Sequence, residues 1–295
     1  MTTMALGLAL LLAAPQATGS SAGFDKEVRV GAPITRGNLT VFPLTLRRPA
    51  AAEDHLLLDE ALARKQLAIE ETDAGGSVNA LQIENRGDRP VMLVAGELLL
   101  GGKQDRIVAR SLVLAPRSRT RVAVFCVEHG RWTGAKSFAS AGSLAHVRLR
   151  KTALEGDQGK VWSEVASANA VMGTRNESDT YRAAARKLDA DVGPLAREIV
   201  AELSREPKVA GLAVAIDGEM VAVEWFASPS LFQRIRQKLV ASYAAQAQAQ
   251  AQASASAAPA PAAAPAPAAV ADFAAKAERG AAVVERVKGA KGAQD

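Results

Sequence analysis

Two hydrophobic periods follow one another along the chain, and together they constrain its fold more than any other feature. From about residue 27 to 132, apolar residues alternate with polar ones or form short runs bounded by Gly, Pro, Asn and Asp, a pattern typical of strands. From about residue 143 to 243, most apolar residues recur every three or four positions, as they do on a buried helix face. Strands followed by helices predict an α+β fold.

The strand-rich part predicts two antiparallel pairs and one helix that interrupts the strands. Turn residues separate the two segments of each pair. The pairs are 81–84 with 91–95 and 107–114 with 121–127, and the helix lies near 56–66. We expect these strands to form a sandwich-like sheet system, with the later helices covering one side or end of a single domain over 27–243.

The helical part begins with a predicted helix that ends near residue 203. Leu195, Ile199 and Leu203 are spaced by four residues and mark its buried face. Pro194 suits the first turn of a helix, because a first-turn residue needs no amide donor. The sequence therefore predicts that this helix begins near Pro194.

The clearest hairpin signal of the chain follows this helix. Asp217 and Gly218 tolerate the positive φ angles of a type I′ turn, and apolar residues flank them over 212–226. After the second strand, Ser228 and Pro229 supply an N-cap and a first-turn proline for another helix. The apolar stripe of that helix consists of Phe232, Ile235, Leu239 and Tyr243.

Residues 1–22 have the composition of a signal peptide. An apolar stretch over 4–14 is followed by Pro15 and by small residues that offer cleavage sites, although no Lys or Arg precedes the stretch. The stretch is too short to span a bilayer, which takes about 20 residues. We therefore expect a periplasmic or secreted protein without a stable membrane span. The alternative is an N-terminus that is disordered or packs on the core.

Low-complexity sequence follows the body of the chain. Residues 244–271 carry no charge and predict a disordered Ala/Gln/Pro-rich linker, whose first part extends the preceding helix and whose Ala-Pro part is an extended spacer. Residues 272–295 predict a short helical or disordered tail: Phe273, Ala277, Val284 and Val287 have roughly helical spacing, and a weakly amphipathic helix that docks on a partner is the alternative to a solvated tail. Because this composition offers little to bury, the sequence favours a solvated tail. Ending the chain after Ala245 should then leave the melting temperature nearly unchanged.

Composition excludes several functional classes. The net charge of +5 comes from basic residues scattered among acidic ones, so nucleic acid is not an expected partner. The single cysteine, Cys126, excludes an intrachain disulfide. The three histidines, His55, His129 and His146, do not have the spacing of metal ligands. We therefore expect neither a metal site nor a cofactor.

Two polar clusters lie at the ends of predicted strands. In the first, GELLLGGKQDRIV, the glycines Gly96, Gly101 and Gly102 permit a bulge or turn that aims polar side chains into a pocket. The second, FCVEHGRW, ends a strand whose alternation places Glu128 where a buried face meets solvent. A phosphate-binding loop is rejected for the first cluster, because Glu97 stands where that motif needs glycine.

Together these clusters resemble the ARG and rhodanese–phosphatase-superfamily-associated protein domain. The resemblance rests on NRGDRPVMLVAGELLLGGKQDRIV and VAVFCVEHGRW, extends more loosely through GKVWSEV, and covers most of residues 27–243. The family is recognised by its sequence and by its genomic company with nucleotide- and ADP-ribose-processing proteins, and it has no established activity. The resemblance therefore implies a phosphorylated or nucleotide-like ligand, of the ADP-ribose type, without implying a reaction.

Two classes of function fit the polar residues. In a hydrolytic enzyme, Glu97 and Glu128 form a catalytic carboxylate pair, one of them with a raised pKa. The side chains expected to bind a small anionic molecule are Lys103, Gln104, Arg106, Arg131 and Trp132. In a binding module the same residues form a ligand pocket or a partner surface, and no bond is broken.

Each of these residues also has a structural interpretation. Glu97 and Arg106 would pair across a bulge, and Trp132 would cover an edge of the core. Cys126 would be a buried small hydrophobe rather than a nucleophile. If the residues serve a ligand instead, replacing Glu97 or Arg131 should weaken function more than folding. A non-catalytic structural or protein-interaction module is therefore the alternative function.

Overall fold

The computed structural model describes residues 24–49, 55–72, 79–134, 136–254 and 263–276. These residues form a strand-rich first half followed by helices and a hairpin, which confirms the predicted α+β class. The predicted signal peptide lies outside the described residues. Two compact units share the chain: the first falls within 1–53, 195–240 and 254–288, and the second within 54–194, 241–253 and 289–295.

The elements are numbered in chain order. The strands are β1 (Val28–Val30), β2 (Ile34–Arg36), β3 (Leu39–Leu46), β4 (Leu56–Leu57), β5 (Leu67–Glu71), β6 (Ala80–Asn85), β7 (Val91–Leu93), β8 (Glu97–Gly101), β9 (Arg106–Val108), β10 (Leu112–Leu114), β11 (Ser118–Cys126), β12 (Phe138–Leu144), β13 (Val209–Ile216) and β14 (Glu219–Trp225). The helices are α1 (Phe24–Glu27), α2 (Leu58–Ala63), α3 (Val147–Glu155), α4 (Gln158–Met172), α5 (Arg182–Leu203), α6 (Pro229–Ser254) and α7 (Pro267–Lys276).

A five-stranded antiparallel sheet forms the base of the first unit. β3 lies between β1 and β13, β2 also pairs with β3, and β14 lies beyond β13. The β13–β14 hairpin is the one predicted from the sequence, and Asp217 and Gly218 have the φ angles of 52° and 78° that a type I′ turn requires. β3 thus pairs with this late hairpin, and β1 and β2 join the same sheet through β3 rather than through the strands that follow them.

The second unit contains a six-stranded and a three-stranded sheet among its described residues. Their strand orders are β12-β8-β9-β11-β6-β5 and β10-β7-β4. The hairpin predicted from 81–84 and 91–95 is wrong, because β6 pairs with β11 and β5, while β7 pairs with β10 and β4. Pairing of 107–114 with 121–127 is confirmed for β9 and β11, although residues 112–114 form β10 in the other sheet.

Side-chain alternation on the six-stranded sheet builds the core of the second unit. Leu81 and Ile83 of β6 and Val122 and Val124 of β11 are buried in one hydrophobic cluster, which Leu58 of α2 joins. Because β9 and β11 are antiparallel neighbours, the start of β9 and the end of β11 lie at the same edge of the sheet. Residues 103–106 of the first polar cluster and residues 128–131 of the second meet at this edge.

Helix α5 begins earlier than the sequence predicts. It starts at Arg182 and carries Pro194 in its interior, so the prediction that Pro194 occupies the first turn is wrong. The residues before Pro194 include several alanines, which favour a helix but add little to an apolar stripe. The pattern of Leu195, Ile199 and Leu203 therefore reveals only the second half of the helix.

Helix α6 has the predicted start and the predicted buried stripe. It begins at Pro229, and its four stripe residues, Phe232, Ile235, Leu239 and Tyr243, are fully buried. It continues to Ser254, so the first part of the predicted 244–271 linker is helical. None of the helices in the described part of the chain combines the length and the apolar character needed to cross a bilayer.

Part of the predicted solvated tail is a docked helix. α7 begins within the stretch assigned to the linker and buries Val270 and Ala274 in the hydrophobic cluster of the first unit. The sequence hides this contact, because alanine and a single valine form only a weak apolar stripe. The part of the tail from residue 277 onward lies outside the described residues.

Candidate functional site

The glycine-framed run is a close-packed turn between β8 and β9. Gly101 and Gly102 have φ angles of +134° and +53°, which L-residues with a side chain rarely adopt. A Cβ on Gly102 would overlap the Phe138 ring and lie 2.6 Å from Glu71 Oε1. The glycines thus let the backbone pass against its neighbours, and they hold residues 103–105 at the sheet edge.

Asp105 lies at the centre of a buried polar network at this edge. Its Oδ1 accepts hydrogen bonds from the Gly101 amide at 3.0 Å and from Arg131 Nη2 at 3.3 Å. Arg182 donates to both carboxylate oxygens, through Nη2 at 2.7 Å and Nε at 2.9 Å. The Thr180 hydroxyl lies 3.3 Å from Oδ2. This two-point binding by Arg182 is the strong, geometrically specific form of an arginine–carboxylate pair.

Glu128 and Arg131 complete the network. Arg131 Nη2 lies 2.6 Å from Glu128 Oε2, and Arg131 Nε lies 3.1 Å from Oε1. Glu128 also accepts a hydrogen bond from the Asp105 amide at 3.1 Å. The backbone oxygens that accept from Arg131 are those of Gly101, Gly102 and Thr133. Every nitrogen of the Arg131 guanidinium therefore has an acceptor within the protein.

The network holds Glu128 in its ionised form. Burial alone would raise the pKa of this carboxyl, but hydrogen bonds from Arg131 and the Asp105 amide, with a smaller one from Ser178, lower the pKa below its ordinary value. The hydrogen bond to Asp105 is the main cause that raises the pKa of Arg182. A raised pKa, expected for one of the two catalytic carboxylates, is therefore not found at Glu128. An ionised carboxylate cannot act as a general acid at neutral pH.

Arg106 and Gln104 lie next to this network and are buried. Arg106 Nη1 donates to the Gln104 carbonyl at 2.7 Å, and Arg106 Nη2 lies 3.6 Å from Glu71 Oε1. The Gln104 side-chain amide donates to the His129 carbonyl at 3.1 Å. Among the described residues, Arg106 Nε, Gln104 Oε1 and Glu71 Oε2 have no hydrogen-bond partner. Both predicted ligand-binding side chains thus face protein groups and are almost closed to solvent.

Glu97 lies elsewhere on the sheet. It follows Gly96, whose amide bonds to Val108, and its own carboxylate accepts from the Val94 amide at 3.0 Å. Val108 pairs with Val124 of β11, four residues before Glu128, and β9 lies between β8 and β11, so the two glutamates are neither on adjacent strands nor at the same level along them. The structure therefore does not bring Glu97 and Glu128 together as a carboxylate pair.

The predicted pairing of Glu97 with Arg106 is also absent. Arg106 stands opposite Leu99 in the β8–β9 ladder, two residues from Glu97 along the strand. Its ion-pair partner is Glu71 of β5. The sequence gives no sign of this partner, because Glu71 precedes Arg106 by 35 positions and belongs to another strand.

Half-buried Lys103 and exposed Trp132 form a pair beside the network. The Lys103 ammonium lies 5.5 Å from the centre of the Trp132 ring, within cation–π range. Trp132 is 50% exposed, so it is not the edge-covering aromatic of the structural interpretation. Of the side chains predicted to bind a ligand, these two and Arg131 reach solvent, whereas Gln104 and Arg106 are buried.

Cys126 is a buried small residue, as the structural interpretation expects. Its backbone is held by the Gln158 side chain, which accepts from the Cys126 amide and donates to its carbonyl, both at 2.9 Å. Burial raises the pKa of the Cys126 thiol. The exposed His129 ring packs edge-on against Trp162 at 4.5 Å and does not activate this thiol. A nucleophilic role for Cys126 has no support in this geometry.

A second buried network fixes the residue that precedes Arg182. His146 Nδ1 lies 2.8 Å from the Tyr181 hydroxyl, and His146 Nε2 lies 3.0 Å from Glu164 Oε1. The Tyr181 amide donates to the carbonyl of Val127, next to Glu128. Burial raises the pKa of the Tyr181 hydroxyl, which is fully enclosed. This anchor sets the position at which α5 begins.

An open concavity of about 480 Å³ adjoins the Asp105–Glu128 network. Its lining residues are Asn176, Glu177, Ser178, Thr180, Arg182, Ala183 and Arg186. Three of them, Ser178, Thr180 and Arg182, also bind Glu128 or Asp105. The concavity thus has a floor that is fixed from behind by buried carboxylates.

Neither Asp105 nor any residue of this lining, Arg182 included, is predicted from the sequence. Asp105 stands inside the first polar cluster, between the predicted ligand-binding residues Gln104 and Arg106, and only the network distinguishes it from them. Arg182 follows Asp105 by 77 positions, and nothing in the sequence separates it from other helix arginines. The polar run NESDT at 176–180 is typical of a helix start and is the only sequence signal near the concavity.

The site offers hydrogen-bond donors and charge rather than metal ligands. In the part of the chain that the structure describes, no three His, Cys, Asp or Glu side chains are grouped where they could hold a metal ion.

A family model described as ARG and Rhodanese-Phosphatase-superfamily-associated Protein domain matches residues 27–293. No curated protein and no solved structure matches the chain.

Proposed function

The chain belongs to the ARG and rhodanese-phosphatase-superfamily-associated protein domain family, and from that premise we propose that it recognises a small anionic ligand in the concavity of its second unit. The ligand class we propose is a phosphorylated or nucleotide-like molecule of the ADP-ribose type. This class comes from the family resemblance and from the charge of the concavity. The volume of about 480 Å³ lies within the range of small-molecule sites, which is roughly 300 to 1,000 Å³.

The arrangement of Arg182 is the observation that carries this proposal. Its Nε and Nη2 are occupied by Asp105, and the side chain is 35% exposed. Its Nη1 has no partner among the described residues and is left to donate at the concavity. An arginine that is held on one edge and free on the other loses little side-chain entropy when it binds an oxyanion.

A second arginine supports anion recognition. Arg186 lies one helical turn after Arg182 on α5, is exposed, and has no ion-pair partner among the described residues. The positive end of the α5 dipole lies at the same helix terminus. Glu177 is the one carboxylate of the lining, so two guanidinium groups outweigh it.

Binding fits the geometry better than hydrolysis does. Glu128 is ionised, hydrogen-bonded and buried, and Glu97 lies on β8, which β9 separates from β11. A paired acid and base across a scissile bond therefore does not arise from these residues. The saturated Glu128–Arg131 pair favours a non-catalytic module whose carboxylates position the arginines.

Export to the periplasm or the medium is part of the proposal. It rests on the apolar segment at 4–14 and on the small residues that follow it. Mass spectrometry of the protein from its native host should find a mature N-terminus between Ser20 and Gly23. An intact Met1 in that material would overturn the proposal of export.

Calorimetric titration with ADP-ribose, AMP, ribose 5-phosphate and inorganic phosphate tests the ligand proposal. Arg186→Met removes a charge with no protein partner, so it should leave the melting temperature unchanged and weaken binding by at least tenfold. Arg182→Lys keeps the charge but loses the two-point contact with Asp105, and it should weaken binding as well.

Arg175→Met is the matched control for both variants. Arg175 is exposed, lies outside the concavity lining, and has no partner among the described residues. Its replacement should leave binding unchanged. Failure of all four probes to bind, or equal affinity of Arg186→Met and the wild-type chain, would refute the proposed site.

A further inference from the structure

An apolar face of the first unit is covered by the helix α7. The strand residues of this face are Val28, Phe42, Leu44, Ala213, Val223 and Trp225. Phe24 of α1 extends the face and packs edge-on against Trp225, with ring centres 5.5 Å apart. Val270 and Ala274 of α7 are buried against these residues, and Phe273 is partly buried there. The face and its cover both belong to the first unit.

α7 depends on this face for its helical structure. It has 10 residues, and isolated helices shorter than about 12 to 15 residues are marginal in water. Val270 and Ala274 are four positions apart and form its buried edge, while Ala268 and Asp272 are exposed. Few apolar side chains hold α7, so its release costs less than the unfolding of the sheet beneath it.

The composition of the segment before α7 is compatible with release of α7 from the apolar face and with its rebinding. Residues 255–266 separate α6 from α7, carry no charge, and consist of Ala, Ser and Pro. Prolines in this segment prevent α6 from continuing into α7 as one helix. Pro267 is the first residue of α7, where its fixed φ angle favours the start of a helix.

We propose that this apolar face is a helix-binding groove, which α7 fills reversibly. When the chain's own α7 is released, the α7 segment of a second copy binds in the groove. The groove is specific for a short amphipathic helix with small buried residues, because Ala274 packs directly on it. Because α7 is joined to the rest of the chain, its effective concentration at the groove is on the order of 1 mM. If a free copy of the segment binds the groove with a Kd of about 100 μM, competition from the tethered α7 should raise the apparent Kd of the free copy about tenfold.

Fluorescence polarisation with a labelled peptide of residues 263–276 tests this proposal on the full chain. Val270→Asp combined with Ala274→Asp places two charges on the buried edge of α7 and should open the groove. The peptide should bind this variant saturably and bind the wild-type chain about tenfold more weakly. Ala268→Asp is the matched control, since it adds a charge at an exposed position of the same helix and should bind peptide as the wild-type chain does.

Three results would overturn the inference. The first is no saturable binding of the peptide to the double variant, and the second is equal binding of a peptide that carries the same two substitutions. The third is loss of the folded near-ultraviolet circular dichroism signal in the double variant, because α7 would then be a permanent part of the core. Hydrogen exchange of the wild-type chain gives an independent test: α7 amides should exchange well before those of β13, and equal protection would refute reversible release.

Discussion

Replacing Arg131 by methionine should destabilise the second unit by about 3 kcal/mol, although the sequence expects this residue to serve a ligand rather than the fold. The substitution removes every donor that Arg131 gives to Glu128, to Asp105 and to three backbone carbonyls. Breaking a buried ion pair typically costs about 3 to 5 kcal/mol, because the remaining charge is left uncompensated. We take the lower end, since the Arg131 side chain is 27% exposed and water can replace part of its contacts.

Chemical denaturation followed by far-ultraviolet circular dichroism measures this effect. Arg175→Met is the control, because Arg175 is exposed and should change stability by no more than about 0.5 kcal/mol. Arg131→Lys keeps a charge but loses the planar fork, so its stability should lie between those of the wild type and Arg131→Met. If Arg131→Met stays within about 1 kcal/mol of the wild type, the network does not hold the fold and this reasoning is wrong.

Three further predictions follow from the contacts described above. The pKa of Glu128 is lowered in the folded chain, so the stability that Glu128 contributes is present above the ordinary glutamate pKa of about 4.3. This stability is lost as the pH falls through the folded pKa. The difference in unfolding free energy between the wild type and Glu128→Gln should therefore shrink in acid titrations below about pH 4. Cys126 should react with a thiol reagent at pH 8 only after denaturation, and rapid labelling of the folded chain would contradict its burial. Ending the chain after Ala245 removes α7 and the hydrogen bond from the Arg148 amide to Gln246, so the melting temperature should fall by several degrees, and an unchanged value would restore the solvated tail.

Local chemistry explains which parts of the fold were predictable. The β13–β14 hairpin depends on two turn residues with positive φ, and the start of α6 depends on Ser228 and Pro229, so neighbouring residues suffice. The pairing of β6 with β11 instead of β7 depends on strands far along the chain. An apolar run of four or five residues can join either sheet, and its partner strand depends on how its side chains pack in the complete core.

At the site, too, features set by neighbouring residues were predictable and features set by distant residues were not. Strand alternation and the glycine run correctly direct attention to the sheet edge where Glu128, Arg131 and the 103–106 segment meet. They do not reveal that Arg182 joins from the start of α5, or that Arg106 pairs with Glu71. They also do not reveal that Glu97 lies away from Glu128, because the linear sequence does not show which end of the β8–β9 ladder a residue reaches.

The pairing of β3 with β13 sets an order of events during synthesis. Residues 39–46 leave the ribosome long before residues 209–216 exist, so β3 loses its main partner for the time needed to make the intervening chain. Most of the second unit, residues 54–194, is continuous and lies within that interval, so it can collapse first. Because β3 can pair with β13 only after this interval, we expect the first sheet to form later than the core of the second unit. Until then the apolar strand β3 lacks its β13 partner and is exposed to non-native association.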